Sequence, residues 1–533
     1  MHFVSHDYSP CLVMILSKTC ILNVGFCRSA VASVVTLGNV YYCVRYRPIL
    51  HVFAGDRFAN SQHEKQAKTA QLQVKPNKVL YYGAAQPSKG EVVNLSKVPK
   101  NRTRESADIL IVNAEEMLTL TGSSQTPRTG KQMGELEIIH DGALAIRQGK
   151  IAAVGKTRDV TKAFRGGYVL SAKGKTVLPG FVDPHTHLVF AGSREDEFQM
   201  RIEGASYLEI LNSGGGVLKT ARETQKARVE KLVELGLERL DSMLAHGTTT
   251  VEAKSGYGLT PEDELKILEA LRRLNQLHCM NVVPTFMGAH VAPLEYRNNL
   301  EEYIDLVIDD MMPKVAGQGL AEFCDVLCER GVFNSEQAKR VLVAGKRYGL
   351  KPKIHADQMT GLGGAEIAVD VAAVSADHLN YASAEGVKGI MQKAIIAVLL
   401  PAATFSMMTG RWANARLMID GGAPVALGTD FNASCFVRNQ QAVIAIACHL
   451  MHMTPAEAIT AATINAAHAI NRAHEVGSLE VGKRANVAVL GVPNHKFLGY
   501  SIGVNLVEKV ITDGRLVVDR EKQDEPVFLS RTE

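Results

Sequence analysis

Residues 181–190 read FVDPHTHLVF and follow TVLPG directly. An apolar run that ends in an H-x-H pair reads as a buried strand. With a side-chain period of two, His185 and His187 point to the same side of it. A single core histidine is ordinary. Two on one side ask for a common partner, and the question becomes whether other ligand-type residues recur at the ends of later strands.

Seven further stretches read as strands: 248–254 (TTTVEAK), 281–289 (NVVPTFMGA), 322–328 (EFCDVLC), 352–357 (PKIHAD), 373–378 (AVSADH), 395–400 (IIAVLL) and 424–430 (PVALGTD). Helical patterns lie between most of them. RVEKLVELGLERLDSMLAHG has apolar residues at i, i+3, i+4 and i+7 and stops at Gly247. PEDELKILEALRRLNQL opens with Pro261 and acids in its first turn, as the helix dipole favours. NSEQAKRVLVAGKRYGL opens with an asparagine cap.

Eight strands alternating with helices predict a (β/α)8 TIM-like barrel, whose usual size is about 250 residues. The rival, a doubly wound open sheet, usually carries a glycine-rich phosphate turn after its first strand. NSGGGVLKT (212–220) has the glycines without that spacing or a preceding strand, and reads as a mobile loop. On either side of the barrel the texture changes to short strands and glycine turns, as in GALAIRQGKIAAVG and GSLEVGKRANVAVLGV. The expected organisation is a leader and linker at 1–105 outside the fold, a small β-sandwich-like domain from 106–177 and 471–533, and a barrel at 178–470.

Composition narrows the class. The 533 residues are 46% hydrophobic and 21% charged, with a formal net charge of +4, which is ordinary for a globular enzyme. No block of like charge stands out, so neither nucleic acid nor a membrane is an expected partner. Nine scattered cysteines make no disulfide framework and fit a reducing compartment. Cys324 and Cys328 read as core thiols. The leader is apolar and acid-poor, and no uncharged run in it reaches the roughly 20 residues of a membrane span. It reads as a segment that does not fold with the rest, in a cytoplasmic protein; a mitochondrial targeting segment is the other reading of that composition.

In a barrel the chemistry sits at the C-terminal ends of the strands. His185 and His187 end the first strand, His355 the fifth, His378 the sixth and Asp430 the eighth. Burying so many polar groups without partners would cost several kcal/mol. A divalent cation is an economical partner. Imidazole and carboxylate without thiolate suit zinc or iron(II). Three or four protein ligands with an open position make a catalytic arrangement.

The same residues carry a family resemblance. PGFVDPHTH, KIHAD, SADHL and ALGTDFN resemble the amidohydrolase superfamily. HTHLVFAGSREDEF, GASYLEI, TTVEAKSGYGL, PTFMGAH, CDVLCERGVF and LLPAATF, in order between about 176 and 470, are most similar to its imidazolonepropionase family. The resemblance implies water addition to the cyclic amide of a small-molecule substrate, 4-imidazolone-5-propanoate, to give N-formimidoyl-L-glutamate, by a homodimer. It implies one divalent ion, zinc or iron, on His185, His187, His355 and Asp430. Asp430 would also move the proton, and His378 would lie beside the attacked carbonyl. Arg194 and Tyr257, with Tyr207, would hold the propionate. His290, Gln358 and Asn432 would surround the ring. Many superfamily members bridge two metals with a modified lysine at the end of the fourth strand; FCDVLCERG has none there, so one ion is expected. The family usually continues GTDFN with Pro-Gly, whereas this chain has Ala433 and Ser434.

Two other classes stay open on the residues alone. A purine or pyrimidine aminohydrolase would share the metal residues without needing Arg194 or Tyr257 for a carboxylate. A non-catalytic scaffold on this fold would typically lose ligands, and here every expected ligand type is present. A nicotinamide-dependent enzyme lacks its glycine fingerprint.

Overall fold

Eight parallel strands, each hydrogen-bonded to the next in chain order, form the central sheet. They are β1 (Phe181–Asp183), β2 (Thr248–Lys254), β3 (Asn281–Ala289), β4 (Phe323–Cys328), β5 (Lys351–Ala356), β6 (Ser375–His378), β7 (Ile396–Leu399) and β8 (Val425–Leu427). This computed structural model describes residues 104–522, apart from 207, 208, 211 and 212. In the first hundred residues it describes only the backbone of an antiparallel hairpin, Val34–Leu37 with Val40–Cys43. Tyr207 and nearly all of the expected leader and linker lie outside the described residues.

Strands β2 and β4 are buried along their whole length. That is what a parallel strand requires when helices cover one face and the barrel interior the other. The sheet closes on itself beyond the ends of β1 and β8. Thr186 bridges Phe431 in parallel, the His187 N–H donates to the Phe431 carbonyl at 2.8 Å, and the Asp430 N–H donates to the His185 carbonyl at 3.1 Å. The fold is the expected (β/α)8 barrel.

The helices begin where their capping chemistry says. Pro261–Leu277 starts after Thr260, whose hydroxyl accepts the Asp263 N–H at 3.2 Å, with Pro261 in the first turn. Ser335–Arg347 starts with a reciprocal capping box: Asn334 Oδ1 accepts the Gln337 N–H at 2.9 Å, and Gln337 Oε1 accepts the Asn334 N–H at 3.0 Å.

Two further sheets flank the barrel among residues 104–522. One is six-stranded, in the order Arg515–Asp519, Val507–Thr512, Val487–Leu490, Thr176–Pro179, Glu116–Leu118, Ile138–Ile139; the other is four-stranded, in the order Lys150–Lys156, Gly142–Arg147, Glu105–Ala114, Phe164–Ser171. Ile109, Ile111, Leu144 and Ile146 of the smaller sheet share one buried cluster with Val177, Val487, Val489 and Ile511 of the larger. The two sheets therefore pack face to face.

Three local expectations need correction. The first strand was expected to run to 187, but its ladder stops at Asp183, because Pro184 has no N–H to continue it. The eighth was expected to run to 430 and stops at Leu427; Asp430 turns into the left-handed region, at φ 48°. The glycine-rich stretch 212–220 is not all loop. Gly216, at φ 65° and ψ −146°, ends it, and a helix runs from Val217 to Lys226 with Val217, Leu218 and Ala221 buried.

Candidate active site

At the C-terminal mouth of the barrel the imidazoles of His185, His187, His355 and His378 gather with the carboxylate of Asp430, all of them buried. His185 Nε2 lies 3.5 Å and His187 Nε2 3.6 Å from Asp430 Oδ1. His355 Nε2 is 3.4 Å from His187 Nε2, and His378 Nε2 is 4.0 Å from Asp430 Oδ2. The ligand-type atoms fall into two overlapping groups that share His185: His185, His187 and Asp430 in one, His185, His355 and His378 in the other. Within each, all lie within 4.8 Å of one another.

The orientation of the rings comes from beneath. Asp377 Oδ2 takes His185 Nδ1 at 2.6 Å, and Asp325 Oδ1 takes His355 Nδ1 at 3.0 Å. Each carboxylate accepts, so each Nδ1 carries the proton, and the Nε2 lone pair is left facing the centre. Among the described residues, His185 Nε2, His187 Nδ1 and His378 Nε2 have no hydrogen-bond partner although they are buried. Burial and neighbouring positive groups push the pKa values of His185, His187 and His378 well below the ordinary imidazole value, so the rings are neutral. The neutral imidazoles of His185 and His355, with Nε2 lone pairs turned to the centre beside the Asp430 carboxylate, fit a divalent cation.

Burial raises Asp430 to about 6, against the opposing influence of His355 and the Asn432 amide. His378 (φ 76°) and Asp430 both adopt left-handed backbone. Aspartate and histidine reach this region more easily than most residues, and non-glycine residues in it cluster at functional sites.

Around this centre is a cleft lined by His187, Arg194, Tyr257, His290, Gln358 and Asn432, among others. Arg194 is buried and precedes the helix Glu195–Ile202; its Nε lies 3.2 Å from Glu197 Oε2. Its ion-pair partner is Glu197, one turn on. Tyr257 lies in the loop SGYGL, which Glu264 holds by accepting the N–H groups of Gly256 (2.9 Å), Gly258 (2.7 Å) and Leu259 (2.8 Å). His290 stacks on His187, with ring centroids 5.0 Å apart and planes 19° apart. Its Nδ1 donates to the Gly256 carbonyl at 2.9 Å. Burial and the neighbouring His355 push its pKa down to about 3.

Asn432 does something its sequence position does not announce. Its amide nitrogen donates to the Asp430 carbonyl (2.7 Å) and to Asp430 Oδ1 (3.1 Å), while its oxygen accepts the N–H groups of Ser434 (2.8 Å) and Cys435 (3.0 Å). The side chain is taken up by the loop and by Asp430. Sequence reading also missed Asp325, Asp377 and Glu264. The available signal was an acid inside an apolar strand (FCDVLC, SADH) and a buried acid in a helix's first turn.

Comparison with known proteins gives the family of the chain. The profile of the Amidohydrolase family matches residues 176–517. Solved structures with the same fold include a zinc complex of atrazine chlorohydrolase from Arthrobacter aurescens TC1 (TM-score 0.58, 18% identity, 78% of this chain and 96% of that one). Escherichia coli guanine deaminase is another (TM-score 0.58, 16% identity, 79% and 100%). The chain belongs to the amidohydrolase family, hydrolases that work with a divalent metal. Within it the chain is an imidazolonepropionase-family member. Imidazolonepropionase of Geobacillus sp. (strain WCH70) is 51% identical over 415 residues, 77% of this chain and 98% of the relative. That of Alkaliphilus metalliredigens (strain QYMF) is 49% identical over 416 residues, 78% and 98%. Among the described residues, no helix is long and apolar enough to cross a membrane.

Proposed function

We propose that this chain hydrolyses 4-imidazolone-5-propanoate to N-formimidoyl-L-glutamate, with one zinc or iron ion on His185, His187, His355 and Asp430. The observation that carries the reading is the meeting of two unlike halves in one cleft. Neutral imidazoles converge beside a buried carboxylate on one side, and a buried arginine and a caged tyrosine stand on the other. A cation held by His185, His187, His355 and Asp430 would supply polarisation of a water and a lowered water pKa.

The chain's residues do the rest. Arg194 presents a fork that can give a carboxylate two charge-assisted hydrogen bonds, and Tyr257 adds its wall to the same seat. The propionate held there directs the ring carbonyl at the imidazole cluster. His290 and Gln358 bound the ring, with Tyr207 assigned to the propionate by the resemblance alone. Asp430 accepts the proton of the attacking water and returns it to the ring nitrogen as the C–N bond breaks. Asn432 keeps that carboxylate aimed. His378, neutral and with Nε2 facing the same space, donates to the carbonyl oxygen as negative charge develops on it. One water is added, one C–N bond is cut, and no other reactant is needed. The enzyme is read as a cytoplasmic homodimer.

Incubation of the purified protein with fresh 4-imidazolone-5-propanoate, following loss of ring absorbance with and without a chelator, tests the reading. No turnover by metal-loaded protein would refute it. Turnover of a purine or pyrimidine in its place would move the chain to the aminohydrolases.

A further inference from the structure

Beneath the imidazoles is a layer of charge that the proposed chemistry does not use. Glu252, Lys254, Asp325, Lys353 and Asp377 are all fully buried in the barrel. Lys254, Asp325 and Asp377 come from alternate strands, β2, β4 and β6. Interior layers of a barrel are built from alternate strands, and bulky aliphatic side chains normally fill them. Replacing these with ions is costly unless each is paired.

The pairing is unequal. Lys254 Nζ lies 2.7 Å from Glu252 Oε1, 2.8 Å from Asp325 Oδ2 and 3.8 Å from Asp377 Oδ2. The second lysine, Lys353, gives its Nζ to the Ala469 carbonyl at 3.1 Å and is 4.0 Å from Asp377. Asp325 and Asp377 are the two carboxylates that orient His355 and His185. A single ammonium therefore stands one carboxylate away from two imidazoles of the centre, along Lys254–Asp325–His355 and Lys254–Asp377–His185.

We infer that Lys254 is a positioning residue: its ammonium draws Asp325 and Asp377 to one point and thereby sets the directions of His355 and His185 together. Without it two buried like charges would separate, and each would turn its imidazole away from the common centre. Burial opposes the charge on Lys254, but Asp325, Glu252 and Asp377 outweigh it and raise its pKa, so the ammonium persists. This rests on the proposed metal site, and the test separates the two.

The full-length protein is titrated with Zn²⁺ against a chromophoric chelator. The wild type should take up one equivalent. Lys254→Met should bind at least about tenfold more weakly, because the outer partners of two metal ligands, Asp325 and Asp377, lose their common anchor. Lys353→Met removes the same charge from the same layer without touching Asp325, and should stay within about threefold of wild type on that scale. If Lys254→Met does not fold, Lys254→Met/Glu252→Gln replaces it, because one charge of each sign is removed; the same tenfold loss is expected. Wild-type affinity in either Lys254 variant, or equal losses in the two lysine variants, overturns the positioning role and leaves the metal site standing. Absence of Zn²⁺ uptake by the wild type overturns both.

Discussion

Glu264 Oε1 accepts the Gly258 N–H at 2.7 Å, and with that bond a helix fixes the loop that presents Tyr257 to the cleft. The helix cap, the buried acid and the loop glycines act together. A Cβ on Gly258 would lie 2.3 Å from the Glu264 backbone nitrogen, so the close approach requires glycine. Glu264→Ala leaves three buried N–H groups without an acceptor. It should cost about 2–4 kcal/mol of stability and raise KM for the imidazolone more than it lowers kcat. Thermal melts and steady-state kinetics read both; an unchanged KM would separate Glu264 from substrate binding.

Arg194→Ala should lower kcat/KM for the carboxylate-bearing substrate by about 100-fold, equivalent to roughly 3 kcal/mol, because a buried charged partner is removed. Arg194→Lys should recover only part, since an ammonium is a point charge without the bidentate fork. Normal affinity in Arg194→Ala would place the propionate elsewhere.

The pH profile follows from Asp430. Burial raises its pKa to about 6, and the group accepts a proton only when ionised. Activity is therefore present above that value and lost as the pH falls through it. A bound cation favours the carboxylate, so kcat/KM of the loaded enzyme should fall on the acid side at about pH 6 or below. An acid limb above pH 7 would assign it to another group.

Stripping the metal should abolish turnover, and about one equivalent of Zn²⁺ or Fe²⁺ should restore it. The melting temperature should rise with metal concentration, because the cation binds the folded state preferentially. Less than about half an equivalent after reconstitution would favour a non-catalytic scaffold on this fold.

Much of this was legible in the sequence because the signals are local. All eight barrel strands lie within two residues of their predicted starts, since each is a short apolar run bounded by turn residues. The five side chains of the centre stand at the ends of those runs, where barrel architecture makes position informative. What could not be read depends on pairings across the chain. Asp377 and His185 are 192 residues apart, and an acid preceding His378 gives no hint that its partner is the other histidine. Asn432 has the same limitation in miniature: its residue type allows a substrate contact, and only the turn at 430–435 shows that its hydrogen bonds are already spent. The helix from Val217 was hidden by three glycines that read as loop.

The seam of the barrel has a consequence for when the enzyme becomes competent. His185 and Asp430 are joined through backbone as well as through the proposed ion, yet the polymer between them is almost the whole barrel. Synthesis proceeds from the N-terminus, so the first histidines leave the ribosome long before their aspartate exists. With the proposed ligand set, the four-ligand site exists only once Asp430 has been made, and a product terminated before it retains the H-x-H pair without its carboxylate partner.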